Sequence, residues 1–328
     1  MTYLVKDYLG MKGKEGNIAL ELEVEAKKGL PLLNNAMWVT HNEQSIRNGV
    51  EYVNKKPLTP LKMTEAIGWL TKELDVKTYD ILLDSPRTSV HTHINYLYHT
   101  PLQYWTSITA YWIAENLLFD FCGDYRKGNG FCLRLSDAEG VINYCLKSLR
   151  QEIPFTGIPM DSIRYAGQNL EATLKFGSIE YRGMSFTLDP RKLNTWSQEL
   201  YNLSLNVKDF ATPARLMDEY FMAEDPRDFL GKLFSKDFVR EITVSNDWKQ
   251  KLEANEGTIC ELAYFQDWDA WGKKIEENYK KPEEKKKMPG WALGWADDIL
   301  EIQPQAVNHL VDVRVEQNRL GLPNLEDF

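Results

Sequence analysis

Apolar and acidic residues alternate from Gly16 to Ala26. Ile18, Leu20, Leu22 and Val24 fall on one side of an extended chain. Glu21, Glu23 and Glu25 fall on the other, because successive side chains of a strand point to opposite faces. The pattern predicts a strand with one face for a core and one face carrying three carboxylates. Neighbouring carboxylates repel, so that face either is bathed in water or carries something positive.

The same period recurs downstream. Met37–His41 predicts a short second strand, and Gly49–Val53 a third with Glu51 opposite Val50 and Tyr52. In Ser89–Tyr96, Val90 and Ile94 share one face, and His91, His93 and Asn95 the other. In Leu174–Gly183, Ile179 and Tyr181 oppose Ser178, Glu180 and Arg182. Phe131–Leu133 reads as extended. Helices are expected where a capping residue precedes proline: Thr59-Pro60, with Leu61, Ile67, Leu70 and Leu74 as its apolar stripe; Thr100-Pro101, running to about Cys122; Asp189-Pro190, with Leu193, Trp196, Leu200, Leu203 and Val207; and Asp225-Pro226. Ser136 to Glu139 reads as a capping box for a helix through Leu149. Asp247–Asn255 suggests one more helix, and Lys280–Lys287 a solvated link. Strands and helices without a regular βαβ rhythm predict an α+β fold with an antiparallel sheet.

Composition adds exclusions. The 328 residues suffice for one large domain or two modest ones. A net charge of −9 argues against wholesale nucleic-acid binding, which phosphate neutralisation drives, but not against a nucleotide held through metal ions. No run of eighteen apolar residues exists, and the first residues do not read as a signal peptide. Cys122, Cys132, Cys145 and Cys260 are widely spaced and read as reduced thiols, so the expected location is cytoplasmic. Trp248, Trp268, Trp271, Trp291 and Trp295 crowd the last part of the chain; core packing is the expected role, a substrate pocket the alternative.

Four strands thus each place metal-competent groups on one face: Glu21 and Glu23 with Glu25, Glu51, His91 and His93, and Glu180 with Arg182. If they share one sheet, the carboxylates and a histidine converge and require cations. Hard divalent ions such as Mg²⁺ or Mn²⁺ suit oxygen ligands shared with phosphates. Arg182 would complement a phosphoryl group. Neither a G-x-x-x-x-G-K-[ST] nor a G-x-G-x-x-G loop is present, nor a G-x-S-x-G elbow. An iron or cupin-type reading of His91-x-His93 lacks its following carboxylate. A hydrogen-bonded core role for one of the two histidines stands as the alternative.

Six short stretches in order resemble the amidoligases, relatives of glutamate–cysteine ligase and, more distantly, glutamine synthetase. They are Gly16–Glu23, Ser45–Glu51, His91–His93, Arg126–Phe131, Arg164–Leu170 and Ser178–Arg182. The chain departs from the family pattern at Glu43-Gln44, where Asp-Gly is usual, and at Ser89, where Gly is usual. The resemblance implies a curved antiparallel sheet holding ATP and two or three Mg²⁺, with flanking helices. It implies a catalytic core over 1–213 and a helical extension over 214–328 packed on it. Glu21, Glu23, Glu51, His91 and Glu180 would ligate metal, and Arg182 and Glu180 would serve catalysis. Arg126, Asn129, His93, Tyr165, Asn169 and Ser45 would form the nucleotide and substrate surroundings; Tyr165 and Asn169 would alternatively only support the sheet. The implied activity is an ATP-dependent carboxylate–amine ligase acting on small-molecule or peptide substrates through an acyl phosphate. A phosphotransferase acting on a guanidino or amine group, and a non-catalytic relative that binds metal or nucleotide, stand as alternatives.

Overall fold

A computed structural model describes residues 3–13, 16–42, 46–155 and 165–280. Within the compact unit Met1–Asn278, a six-stranded sheet organises the chain. Its strands are β1 (Ile18–Glu25), β2 (Trp38–His41), β3 (Gly49–Asn54), β4 (Ser89–Asn95), β5 (Gln168–Asn169) and β6 (Ser178–Ser185), in the spatial order β2-β3-β1-β4-β6-β5. Every pairing is antiparallel. The fold is α+β with flanking helices, as the pattern predicted.

The helices are α1 (Val5–Leu9), α2 (Pro60–Glu73), α3 (Val76–Tyr79), α4 (Pro101–Cys122), α5 (Glu139–Arg150), α6 (Ala172–Phe176), α7 (Pro190–Asn206), α8 (Pro213–Met222), α9 (Pro226–Leu233), α10 (Lys236–Ile242), α11 (Trp248–Glu253), α12 (Glu256–Ala263) and α13 (Trp268–Lys280). Leu20, Leu22, Val24, Tyr52, Val90, Ile94, Ile179 and Tyr181 are buried on the apolar side of the sheet. Helices α2, α4 and α7 meet β1, β6 and β4 respectively, while α8, α10, α11 and α12 pack on α4. Helix α4 is buried nearly all round, as expected of a central helix without a polar face. A reciprocal cap starts it: Gln103 N donates to Thr100 Oγ1 (3.2 Å) and Thr100 N to Gln103 Oε1 (2.9 Å). No described helix is long and apolar enough to cross a membrane.

Several local expectations are corrected. Leu61 is 72% exposed; the buried stripe of α2 is Met63, Ala66, Ile67 and Leu70. At about 100° per residue Leu61 lies about 120–180° round the helix from Ile67, Leu70 and Leu74, towards the far side. Phe131–Leu133 is not a strand. Asn129 Oδ1 accepts from Phe131 N (2.9 Å) and prolongs the turn, leaving Leu133 a single parallel bridge to Ala166. The Ser136 capping box does not form: Leu135–Asp137 is a 3₁₀ turn and α5 starts at Glu139 behind Ala138. The segment Leu174–Phe176 is the end of α6, which Gly177 stops in the left-handed region (φ 70°) before β6 begins. Trp248, Trp268 and Trp271 are buried, in keeping with core packing. Trp291, Trp295 and Lys281–Lys287 lie outside the described residues.

Candidate functional site

Register brings the polar face together. Glu21 pairs with His91 across β1 and β4, Glu23 with Glu51 across β1 and β3, His93 with Glu180 across β4 and β6, and Asn169 with Glu180 across β5 and β6. Strand β1 enters this position through Gly16, where a Cβ would lie 1.9 Å from the Pro57 carbonyl oxygen. Two donor groups result, Glu21/Glu51/His91 and Glu21/His93/Glu180, each compact enough to hold one ion, with Glu21 common to both.

Hydrogen bonds fix the two imidazoles. Ser89 Oγ donates its one proton to the Glu23 carboxylate, so it must accept from His91 Nε2, 2.8 Å away. His91 Nδ1 then faces Glu21 Oε2 at 3.4 Å and Glu180 Oε1 at 3.3 Å. A bare lone pair opposite two carboxylates is repulsive, so a proton or a metal ion belongs there. His93 is 8% exposed, and its Nδ1 lies 3.1 Å from Ser178 Oγ. Its Nε2 is buried 3.2 Å from Glu21 Oε1, without hydrogen-bond alignment. This orphaned nitrogen aimed at shared carboxylates fits a metal ligand whose outer nitrogen is held by a hydroxyl.

The electrostatics agree. Burial alone would raise the Glu21 carboxyl, but His91 and His93 against it hold it well below the usual range. Burial would likewise raise Glu180, and Arg182 first, then the histidines, hold it down. Burial opposes the charged form of His93, yet the Glu21 and Glu180 carboxylates push it above its ordinary value. Arg182 reaches Glu180 Oε1 at 2.5 Å, and Asn169 Nδ2 donates to Glu180 Oε2 at 2.6 Å. Four carboxylates, Glu21, Glu23, Glu51 and Glu180, thus share a face with one guanidinium. Glu180 is buried and Glu21, Glu23 and Glu51 are half-buried, so like-charge repulsion on this face favours a cation beside it.

Compared with protein-family models the chain matches none, and compared with curated protein sequences it likewise matches none. The site therefore rests on its own geometry.

Glu21, Glu51, His91 and Glu180 come together as donors. Glu23 stands beside them, held by Ser89, and His93, expected among the nucleotide and substrate surroundings, also lies within donor reach of Glu21 and Glu180. Arg126 is buried and turned inward, its guanidinium donating to the Arg182 carbonyl at 3.0 Å. Asn129 spans the Pro86 and Tyr125 carbonyls (3.1 and 3.4 Å) and shapes its own loop. Tyr165 packs edge-on against Phe131, whose carbonyl accepts from Arg182 Nε at 3.3 Å. Asn169 supports Glu180 directly. Ser45 lies outside the described residues. Glu25 is separate: its carboxylate accepts from Arg47 N (3.0 Å) and from Ser85 Oγ.

The sequence reading missed the work of Ser89 and Ser178. Both lie two residues from a site residue on the same strand face, which was the available signal.

Proposed function

We propose that the chain is an ATP- and divalent-metal-dependent carboxylate–amine ligase of the amidoligase type. The observation that carries this reading is the pair of imidazole nitrogens, His91 Nδ1 and His93 Nε2, aimed at the shared carboxylate of Glu21 beside the Glu180–Arg182 pair.

Glu21, Glu51 and His91 would hold one Mg²⁺ or Mn²⁺, and Glu21, His93 and Glu180 a second. Bound there, such ions neutralise a triphosphate and orient it for transfer. With neutral imidazoles the face carries three more negative than positive charges. Two divalent ions convert that into a surplus of one positive charge, which favours a bound polyanion. Arg182, now on Glu180, is placed to follow the charge of a transferring phosphoryl group once a metal takes that carboxylate. Activation of a carboxylate as an acyl phosphate gives it a good leaving group, and an amine then displaces phosphate. The chain's task is positioning and charge neutralisation, so no covalent nucleophile is needed.

The test is ADP release from ATP with paired carboxylate and amine substrates. It should require both a divalent ion and the carboxylate, and fall at least ~100-fold in Glu180→Gln and in Arg182→Ala, the scale of removing one transition-state charge partner. Undiminished turnover in both variants removes this site from the reaction. ADP release without a carboxylate would identify a phosphotransferase instead. Absence of Mg·ATP binding by calorimetry would leave a non-catalytic metal-binding protein.

A further inference from the structure

Past Glu25, the polar face runs into a cleft of about 710 Å³, within the range of small-ligand sites. Its floor is the buried Glu25 carboxylate, one oxygen accepting from Arg47 N and the other from Ser85 Oγ. Its sides carry Arg47 and Arg87 together with the half-exposed Leu82 and Leu83. Lys27, also on the rim, is matched by Asp80 at 3.6 Å. Among the described residues neither Arg47 nor Arg87 has a carboxylate within ion-pair distance, although Asp84 also lines the cleft. Among the described residues no aromatic ring lines it. Asn129, which donates to the Pro86 carbonyl, ties the wall to the loop of Phe131, whose carbonyl accepts from Arg182 Nε.

We infer that this cleft binds the free carboxylate of a peptide-sized substrate. Two guanidiniums without a carboxylate partner among the described residues offer planar forks that match an oxyanion bidentately. Leucine walls without a ring suit an aliphatic body rather than a nucleobase. Glu21 and Glu25 are four residues apart on one strand face, about 13 Å at ~3.3 Å per residue, so a ligand reaching from the metal-competent centre to the cleft has the length of roughly four extended residues. Assigning this ligand as a substrate rests on the ligase reading; the binding itself does not.

The experiment uses the full chain without metal or nucleotide. Calorimetry with tetra-alanine, with its C-terminal amide and with inorganic phosphate separates the carboxylate from the rest of the peptide and from any small anion. The free acid binds in the millimolar range, and the amide and phosphate bind at least tenfold more weakly. Arg47→Ala and Arg87→Ala each weaken the acid about tenfold and leave the amide unchanged. Both side chains are exposed, and unchanged Mn²⁺ affinity verifies that the variants are folded. Equal binding of acid and amide, phosphate binding as tight as the acid, insensitivity to both arginines, or no binding of the acid overturns the inference. If ligase activity is absent while the acid still binds through the arginines, the ligase reading fails and the cleft assignment stands.

Discussion

At the scale of single residues, the site depends on two hydroxyls that are not themselves expected ligands. Ser89 sets which nitrogen of His91 faces Glu21, and Ser178 occupies the outer nitrogen of His93. Removing such an outer partner commonly costs 10–100-fold in metal affinity. Ser89→Ala and Ser178→Ala should each weaken Mn²⁺ binding by about tenfold, and His93→Ala should weaken it more; titration calorimetry measures all three, and affinities equal to wild type would refute the role. The ligand types were legible in the sequence because alternation alone assigns Glu21, Glu23, Glu51, His91 and Glu180 to polar faces. Alternation puts His93 on the same face but does not give its place against Glu180. Whether a strand histidine meets a carboxylate depends on its neighbour across the sheet, and here that neighbour, Glu180, lies 87 positions away in sequence.

At the scale of elements, β6 carries the decisive irregularity. Val90 pairs with Met184 but Thr92 with Tyr181, so Arg182 and Gly183 together oppose His91. Two residues against one is a bulge, which re-aims side chains and shifts the face parity beyond it. Met184 is consequently buried on the apolar side although strict alternation after Tyr181 would put it with the polar set. The backbone is steadied there by Arg182 N donating to Gly167 O at 2.8 Å. Just upstream, Gly177 turns the chain from α6 into β6 with φ 70°, and a Cβ there would lie 2.2 Å from Leu97 Cδ2. Gly177→Ala should therefore cost about 2–4 kcal/mol, combining left-handed strain with overpacking. Denaturant unfolding measures it, and a loss below 1 kcal/mol would show that the junction yields. In L-K-F-G-S-I-E-Y-R the alternation alone would extend the strand back to Leu174; the helix stop at Gly177 is the competing signal that wins.

At the scale of the whole molecule, two buried ionisable groups away from the site oppose each other in pH. Burial drives His99 down to about 4 from 6.5, while its Nε2 donates to the Ser204 carbonyl at 2.6 Å. The unfolded chain binds that proton more readily, so the contribution of His99 is lost as pH falls from 6.5 towards 4. Burial drives Glu115, in the middle of α4, up to about 8 from 4.5, against the Leu135 N–H that it accepts at 2.7 Å. The native state holds that proton more tightly, so stability falls as pH rises from 4.5 to 8. Between pH 4.5 and 6.5 the two slopes nearly cancel, and above 6.5 Glu115 acts alone. The wild type should lose about 2 kcal/mol between pH 6.5 and 8 relative to Glu115→Gln, which keeps an acceptor without the charge. Parallel denaturation curves for the two proteins at both pH values would exclude it.

The sequence by itself determined the α+β class, the strands β1 to β4, most of β6, the proline-capped helices α2, α4, α7 and α9, and the polar identity of one sheet face. Those properties follow from period-two and period-3.6 patterns and from capping residues, all local in the chain. Only the tertiary structure decided which polar residues meet. The spatial order β2-β3-β1-β4-β6-β5 and the bulge in β6 set Glu21 between two histidines, and put Arg182 on Glu180. They also turned Arg126 inward and left Glu25 at the edge of a separate cleft. Those outcomes depend on contacts between segments far apart in sequence, and within the sheet a register shift of one residue would have moved the side chains of the shifted strand to the opposite face.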